Sequence, residues 1–144
     1  IITIAVFALL LFALAFWLFG TWQPHSVNPF SEYSRYMPGQ KLPDLKGCDV
    51  WDEYPQGMVY AWCYLNGGAF RAIGIRGTWD GIQGTYFYPR DLRMGEMVGW
   101  YGEASKTRKL KRWGQWTFDW GNMTAFARDG RGRFEAHVFL VSYR

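Results

Sequence analysis

Hydrophobic residues form two patterns in this chain: an apolar run at the N-terminus in which Thr3 is the one polar residue, and alternating apolar and polar positions in the second half. The run Ile1–Phe19 contains no charged residue. A helix pairs its backbone polar groups within itself, and a helix of this length rises by about 28 Å, close to the ~30 Å of a bilayer's hydrocarbon core. We therefore predict a single transmembrane helix over residues 1–20.

Two other interpretations of this run are weaker. A cleaved signal peptide has a shorter apolar region and small residues at its cleavage site, whereas this run ends in the bulky residues Phe16–Phe19. A helix buried in a soluble core seldom lacks polar residues for so long. The residues predicted to contact lipid or partner helices are Ile1, Ala5, Ala8, Leu11, Ala15, Trp17 and Trp22. No side chain in the run is ionisable, which argues against transport by this helix alone and leaves no axial histidine for a cofactor.

Residues 21–47 are predicted to form an ordered, extended arm. Four prolines interrupt helix and ladder hydrogen bonds there, yet the segment is too aromatic for a flexible linker. A short helix is expected over Pro29–Tyr36, because Asn28 can cap it and proline suits the first helical position. We interpret His25 as a solvated loop residue.

Residues 48–144 are predicted to form a β-rich domain. Aromatic residues make up 20% of the chain, which has 17 glycines, a composition typical of strands joined by tight turns. Asn66-Gly67 is a hairpin turn signal. About six strands are expected, within Met58–Leu65, Ala69–Arg76, Ile82–Tyr88, Trp113–Trp120, Met123–Arg128 and Phe134–Tyr143. They form an antiparallel meander that closes as a small barrel or a sandwich. Asp91–Gly102 is predicted to be a loop, with a short turn or an irregular strand as the alternatives, because two glycines weaken its helical spacing.

The chain contains two cysteines, Cys48 and Cys63. Their spacing allows a disulfide, which we favour over two buried free thiols because a signal-anchor helix commonly delivers the following domain to an oxidising compartment. We accordingly predict that the β-rich domain lies on the periplasmic or exoplasmic side of a membrane.

Charge is concentrated in two short segments. Asp49–Gln56 contains three acidic residues, and we interpret this segment as a solvated loop rather than a cation site. The run KTRKLKR is predicted to contact lipid headgroups or an acidic protein partner through Lys106, Arg108, Lys109, Lys111 and Arg112. A solvated turn or strand end is the alternative. The net charge of +4 is small and no aromatic residue interrupts the run, so nucleic acid is not an expected partner.

Motifs for catalysis or cofactor binding are absent: there is no metal-ligand spacing, phosphate-binding glycine loop or nucleophile elbow. The sequence therefore predicts a non-catalytic, single-pass accessory subunit, without cofactor or metal, that packs against other subunits of an energy-converting or transport assembly in the lipid bilayer. The first alternative is a membrane-tethered module that binds carbohydrate or another envelope ligand. Its candidate platforms are Trp51, Trp62, Trp79, Trp100 and Trp113. The second is an anchored enzyme that uses the acids of Asp49–Glu53.

Overall fold

The computed structural model describes residues 2–19, 25, 27–53, 57–110, 114–128 and 132–144. Two α-helices, one 3₁₀ helix and eight strands lie within these ranges. The helices are α1 (Ile2–Phe19), the 3₁₀ helix (Pro29–Tyr36) and α2 (Met94–Tyr101). The strands are β1 (Asp49–Glu53), β2 (Met58–Tyr64), β3 (Phe70–Thr78), β4 (Gly81–Pro89), β5 (Lys106–Leu110), β6 (Gln115–Asp119), β7 (Met123–Arg128) and β8 (His137–Tyr143).

The N-terminal helix predicted from the apolar run is present as α1. Every side chain from Ile2 to Trp17 is exposed, and these residues include no charged group. The predicted membrane crossing is not supported, because no helix in the described part of the chain is long and apolar enough to span a bilayer.

A single antiparallel sheet organises the rest of the chain. Its strand order is β1-β2-β3-β4-β8-β7-β6-β5, so two four-stranded meanders meet where β4 pairs with β8. That junction is short and aligns Thr85–Phe87 with Val141–Tyr143. The mainly-β antiparallel architecture was correctly predicted, but closure into a small barrel or sandwich was wrong: β1 and β5 lie at opposite edges of an open sheet.

The prediction of about six strands missed both edge strands. The acidic segment interpreted as a loop contains β1, and the basic run contains β5. Both are short and carry charged side chains, so neither shows the apolar alternation that marks a half-buried strand. Charged edge strands are common in natural sheets, because charge discourages pairing with other chains.

Asp91–Gly102, predicted as a loop, contains α2. Met94 and Met97 are completely buried against the sheet, which stabilises a helix that its glycines disfavour. Gly95 has a packing role as well: a Cβ atom there would lie 3.2 Å from the carbonyl oxygen of Phe134, a tight approach. Tertiary contacts therefore override the local propensity.

The hydrophobic core lies between one face of the sheet and a layer formed by the 3₁₀ helix and α2. Its largest fully buried side chains come from both the sheet and this layer; among them are Phe30, Ile73, Phe87, Leu92, Met94, Met97 and Phe118. On β6, Phe118 is buried between Trp116 and Trp120, with ring centroids 6.3 and 6.1 Å away, as the alternation on that strand predicted. The opposite face of the sheet has no helical layer over it in the described residues.

Candidate functional site

Most of the residues singled out by the sequence lie on three surfaces: helix α1, an aromatic face on the first meander, and the charged edge strands. None of them contains the residues of a metal centre: within the described ranges no group of three or more His, Cys, Asp or Glu side chains could hold a metal ion.

Helix α1 is the largest exposed apolar feature. Its side chains are exposed on all sides, for example Ile2 at 82%, Phe12 at 75% and Trp17 at 74%. Ala5, Ala8, Leu11 and Ala15 are exposed as well, while Ile1 and Trp22 lie outside the described residues. A helix that is apolar all round needs lipid or protein around it, because a few hundred Å² is the usual limit for an exposed apolar patch.

The arm that follows α1 is fixed to the sheet layer by Phe30. This side chain is 2% exposed and packs on Phe70 and Phe87, with ring centroids 4.9 and 5.2 Å away. Asn28 caps the 3₁₀ helix by accepting a hydrogen bond from the Phe30 N–H, as its position predicted. The same side chain donates to the hydroxyl of Tyr101, 2.9 Å away. Within the described part of the predicted arm, residues 29–36 are helical rather than extended.

His25 lies in a loop and its side chain is partly exposed, as interpreted, but it is also held by a buried carboxylate, which the interpretation missed. Its backbone N–H donates to Oε1 of Glu96 at 2.6 Å, and its ring Nδ1 lies 3.0 Å from the same oxygen. Glu96 is only 8% exposed, and its other carboxylate oxygen accepts a hydrogen bond from the backbone N–H of Arg93 at the start of α2. Sequence could not pair residues 71 positions apart, since only packing of the arm on α2 brings them together.

Aromatic side chains cover the face of β1–β4 opposite the core. We define this aromatic face as Trp51, Tyr60, Trp62, Tyr64, Tyr86 and Tyr88, which share one side of the sheet by register. Trp62 is at its centre, with ring centroids 4.5 Å from Tyr88 and 6.0 Å from Tyr64. Gly74 lies between Trp62 and Tyr86 in the register, and a Cβ there would make ordinary contacts with both side chains, at 3.4 Å from the Cβ of Tyr86.

The aromatic face combines exposed rings with shielded polar atoms. Tyr64 is 70% exposed and Trp51 is 56% exposed, so both rings are available to a ligand. Nε1 of Trp62 and Nε of Arg76 are buried and have no hydrogen-bond partner among the described residues. Burial is the main cause that raises the pKa of the Tyr88 phenol, with the nearby Tyr86 adding to it, so Tyr88 stays neutral at physiological pH.

Of the other tryptophans predicted as ligand platforms, Trp79 is 63% exposed in the turn between β3 and β4. Trp100 lies half-buried on α2, where its ring centroid is 6.5 Å from that of His25. Trp113 falls outside the described residues. The predicted platforms therefore do not form one surface: Trp51 and Trp62 share the aromatic face, and the others lie elsewhere.

Cys48 and Cys63 form the predicted disulfide, with a Cα–Cα distance of 4.4 Å. The bond joins the residue before β1 to the core side of β2. It therefore fixes the start of the edge strand that carries Trp51.

Only part of the basic run lies within the described residues. Lys106, Arg108 and Lys109 are exposed on β5, whereas Lys111 and Arg112 lie outside the described residues. The ammonium of Lys109 is 5.0 Å from the ring centroid of Trp116. These cations form a row along one edge of the sheet, available to an anionic partner.

No protein-family model and no curated protein matches the sequence. Among solved structures, the chain is similar to the crystal structure of YjgB, a DUF4309 family protein from Bacillus subtilis, at 9% sequence identity and a TM-score of 0.29. That alignment covers 85% of this chain and 82% of YjgB.

Proposed function

We propose that this chain is a non-catalytic accessory subunit that attaches through helix α1 to a larger membrane protein complex. The observation that carries the proposal is the exposure of every side chain from Ile2 to Trp17, with apolar residues on all sides of the helix. In this proposal, lipid and the apolar surfaces of partner subunits cover α1. Burial of apolar surface then supplies the attachment energy, at about 25 cal/mol for each Å² removed from water.

The connection between α1 and the sheet supports the same proposal. The contacts of His25, Asn28 and Phe30 fix the arm to α2 and the core, so the sheet domain is tethered close to the place where α1 attaches. The Cys48–Cys63 disulfide would persist in an oxidising compartment and so supports a periplasmic or exoplasmic side for this domain within the proposal.

The proposal is tested with charge introduced into α1. Leu10→Asp combined with Phe12→Asp puts two carboxylates on the apolar helix, at a cost of about 2.5–3.5 kcal/mol each in a bilayer. We expect the full chain to partition into phosphatidylcholine vesicles and the variant to stay in the aqueous fraction. The matched control, Tyr64→Asp with Trp79→Asp, puts the same charges on exposed rings of the sheet domain and is expected to partition like the original chain.

A second measurement addresses the partner subunits. Extracted from its native membrane in mild detergent, the chain is expected to co-migrate with other membrane subunits on a native gel, and the α1 variant to migrate alone. Recovery of the unmodified chain only as a lone monomer, or only from the aqueous fraction, would overturn the proposal.

A second candidate function, binding of carbohydrate, is favoured by the aromatic face. Trp51 and Tyr64 present exposed rings beside half-buried Trp62, and sugar rings pack well on such surfaces. Tryptophan fluorescence of the full chain across a glycan panel tests this function. Trp51→Ala is expected to abolish the response, whereas Trp79→Ala, which removes a similarly exposed ring from a turn, should leave it unchanged. A panel without any response rejects this candidate.

A further inference from the structure

The two edge strands of the sheet carry opposite charges. In β1 the ionisable residues are Asp49, Asp52 and Glu53, all acidic. In β5 they are Lys106, Arg108 and Lys109, all basic. Asp49 and Asp52 are exposed, and so is every side chain of β5. The sheet therefore has one acidic edge and one basic edge.

Each edge also presents unpaired backbone groups. Within the described residues, β1 pairs only with β2, and β5 only with β6. An edge strand is a template for pairing with another chain. Charge of one sign discourages pairing between two β1 edges or between two β5 edges, but it favours pairing of an acidic edge with a basic one.

We propose that copies of this chain associate head to tail, β5 of one copy pairing with β1 of the next. All seven neighbouring strand pairs in the sheet are antiparallel, so β1 and β5, at the two ends of an eight-strand order, run in opposite directions. Two copies placed side by side in the same orientation therefore meet as an antiparallel pair. Their aromatic faces then lie on the same side of one continuous sheet.

One register of this pair satisfies both charge and hydrophobicity. When Leu110 lies opposite Trp51 of the next copy, Lys109 lies opposite Asp52. Leu110 and Trp51 are 38% and 56% exposed in the single chain. The intramolecular registers place both on the side of the aromatic face, and Lys109 and Asp52 on the core side. In each of these two pairs, both side chains therefore lie on the same side of the sheet, as cross-strand contacts require.

The contact uses different surfaces on the two copies, so every pair leaves one acidic and one basic edge free. Such heterologous contacts build rings or open filaments rather than symmetric dimers. The proposal is independent of α1 and of the partners discussed above.

Charge reversal tests the complementarity. Sedimentation of the full chain in mild detergent is expected to show association that increases with protein concentration and weakens with salt. Asp49→Lys with Asp52→Lys makes both edges basic, and Arg108→Glu with Lys109→Glu makes both acidic. Each double variant alone is expected to need at least about tenfold more protein for the same association. An equimolar mixture of the two should associate again, because every edge then finds a partner of opposite charge.

The mixture also distinguishes loss of charge complementarity from misfolding, because unfolded variants would not associate when mixed. The control Glu32→Lys with Asp91→Lys has the same charge change at exposed positions away from both edges, and should associate like the original chain. A chain that stays monomeric at all concentrations, or a mixture that behaves like its components, overturns the proposal.

Crosslinking tests the register. Asp52→Cys with Lys109→Cys places two cysteines opposite each other between copies, and mild oxidation is expected to give a ladder of covalent oligomers. Asp52→Cys with Arg108→Cys shifts one cysteine to the other side of the sheet and should give no ladder. Equal ladders from both variants, or none from the first, contradict this register.

Discussion

Gly77 shows how a single residue limits the sheet. It lies at a register irregularity between β3 and β4, opposite Ile82. A Cβ atom at this position would overlap the carbonyl oxygen of Gly81 and lie 3.0 Å from the Cα of Ile82. Both obstacles are backbone atoms, so the strand can make room only by separating from its neighbour.

We therefore expect Gly77→Ala to lower the free energy of unfolding by about 2 kcal/mol, the usual cost of forcing extra volume into a packed site. Gly74→Ala is the matched control on the same strand, since its Cβ would make ordinary contacts with Tyr86. Thermal or urea unfolding of both variants provides the measurement. Equal losses in the two would show that the close approach at Gly77 is not the cause.

The buried phenol of Tyr143 should make the free energy of unfolding depend on pH. Burial, chiefly, and the hydrogen bond with the Tyr101 hydroxyl raise the pKa of its phenol far above 10 in the folded chain. The unfolded chain releases this proton near pH 10, so the stabilisation is fully present below pH 10 and is lost as the pH rises above it.

The free energy of unfolding should consequently fall above pH 10, by up to about 1.4 kcal/mol per pH unit for this one group. Tyr143→Phe is expected to make the fall shallower, whereas Tyr64→Phe, at an exposed ring, should not change it. Unfolding by urea between pH 8 and pH 11 gives the slopes. A slope unchanged by Tyr143→Phe would contradict the assignment.

The disulfide predicts an effect of reduction. It closes a loop of 15 residues, and closing a loop of that length is worth about 3 kcal/mol in the chain-entropy model. Reduction, or Cys48→Ser with Cys63→Ser, should lower the free energy of unfolding by about that amount. The measurement is urea unfolding with and without reductant, and the doubly substituted chain, insensitive to reductant, is the control.

At the scale of elements, the 3₁₀ helix depends on one side chain. Phe30 contacts the rings of Phe70, Phe87, Tyr101 and Tyr143, so strands from both meanders and α2 meet around it. A helix of eight residues has little stability of its own, and this packing stabilises it.

Phe30→Ala is expected to cost about 3–5 kcal/mol and to release the arm from the core. Limited proteolysis near residues 27–40, together with thermal unfolding, measures both effects. Val27→Ala, which shortens a side chain that is 67% exposed, is the control and should change neither. An arm that stays protected in the Phe30 variant would mean that the hydrogen bonds of His25 and Asn28 suffice to hold it.

At the scale of the whole molecule, the open sheet predicts a gradient of protection. Strand β3 lies between β2 and β4 and is mostly buried, whereas β5 is an edge strand with every side chain exposed. Amides of β5 should therefore exchange with solvent faster than those of β3 in dilute protein at high salt, where copies are apart. Hydrogen exchange read by mass spectrometry tests this order, and equal protection of the two strands would contradict it.

Prediction from sequence succeeded where the pattern was local and strong. The apolar run indicated a helix, alternation around Phe118 indicated a half-buried strand, and Asn28-Pro29 indicated the start of a short helix. It failed where packing opposed local preference. Gly95 and Gly99 disfavour a helix, yet α2 forms. The charged residues of β1 and β5 do not show the alternation typical of a strand, yet both segments form strands because each pairs with a neighbouring strand.

The sequence by itself determined the N-terminal helix and the antiparallel β-rich class and favoured the disulfide, because apolar runs, period-two alternation and cysteine count are properties of neighbouring or rare residues. Only the tertiary structure decided which residues meet: Glu96 with His25, the six rings of the aromatic face, and the acidic and basic strands at opposite edges. These pairings depend on strand order and register, which chain folding sets over long distances and which no local pattern encodes.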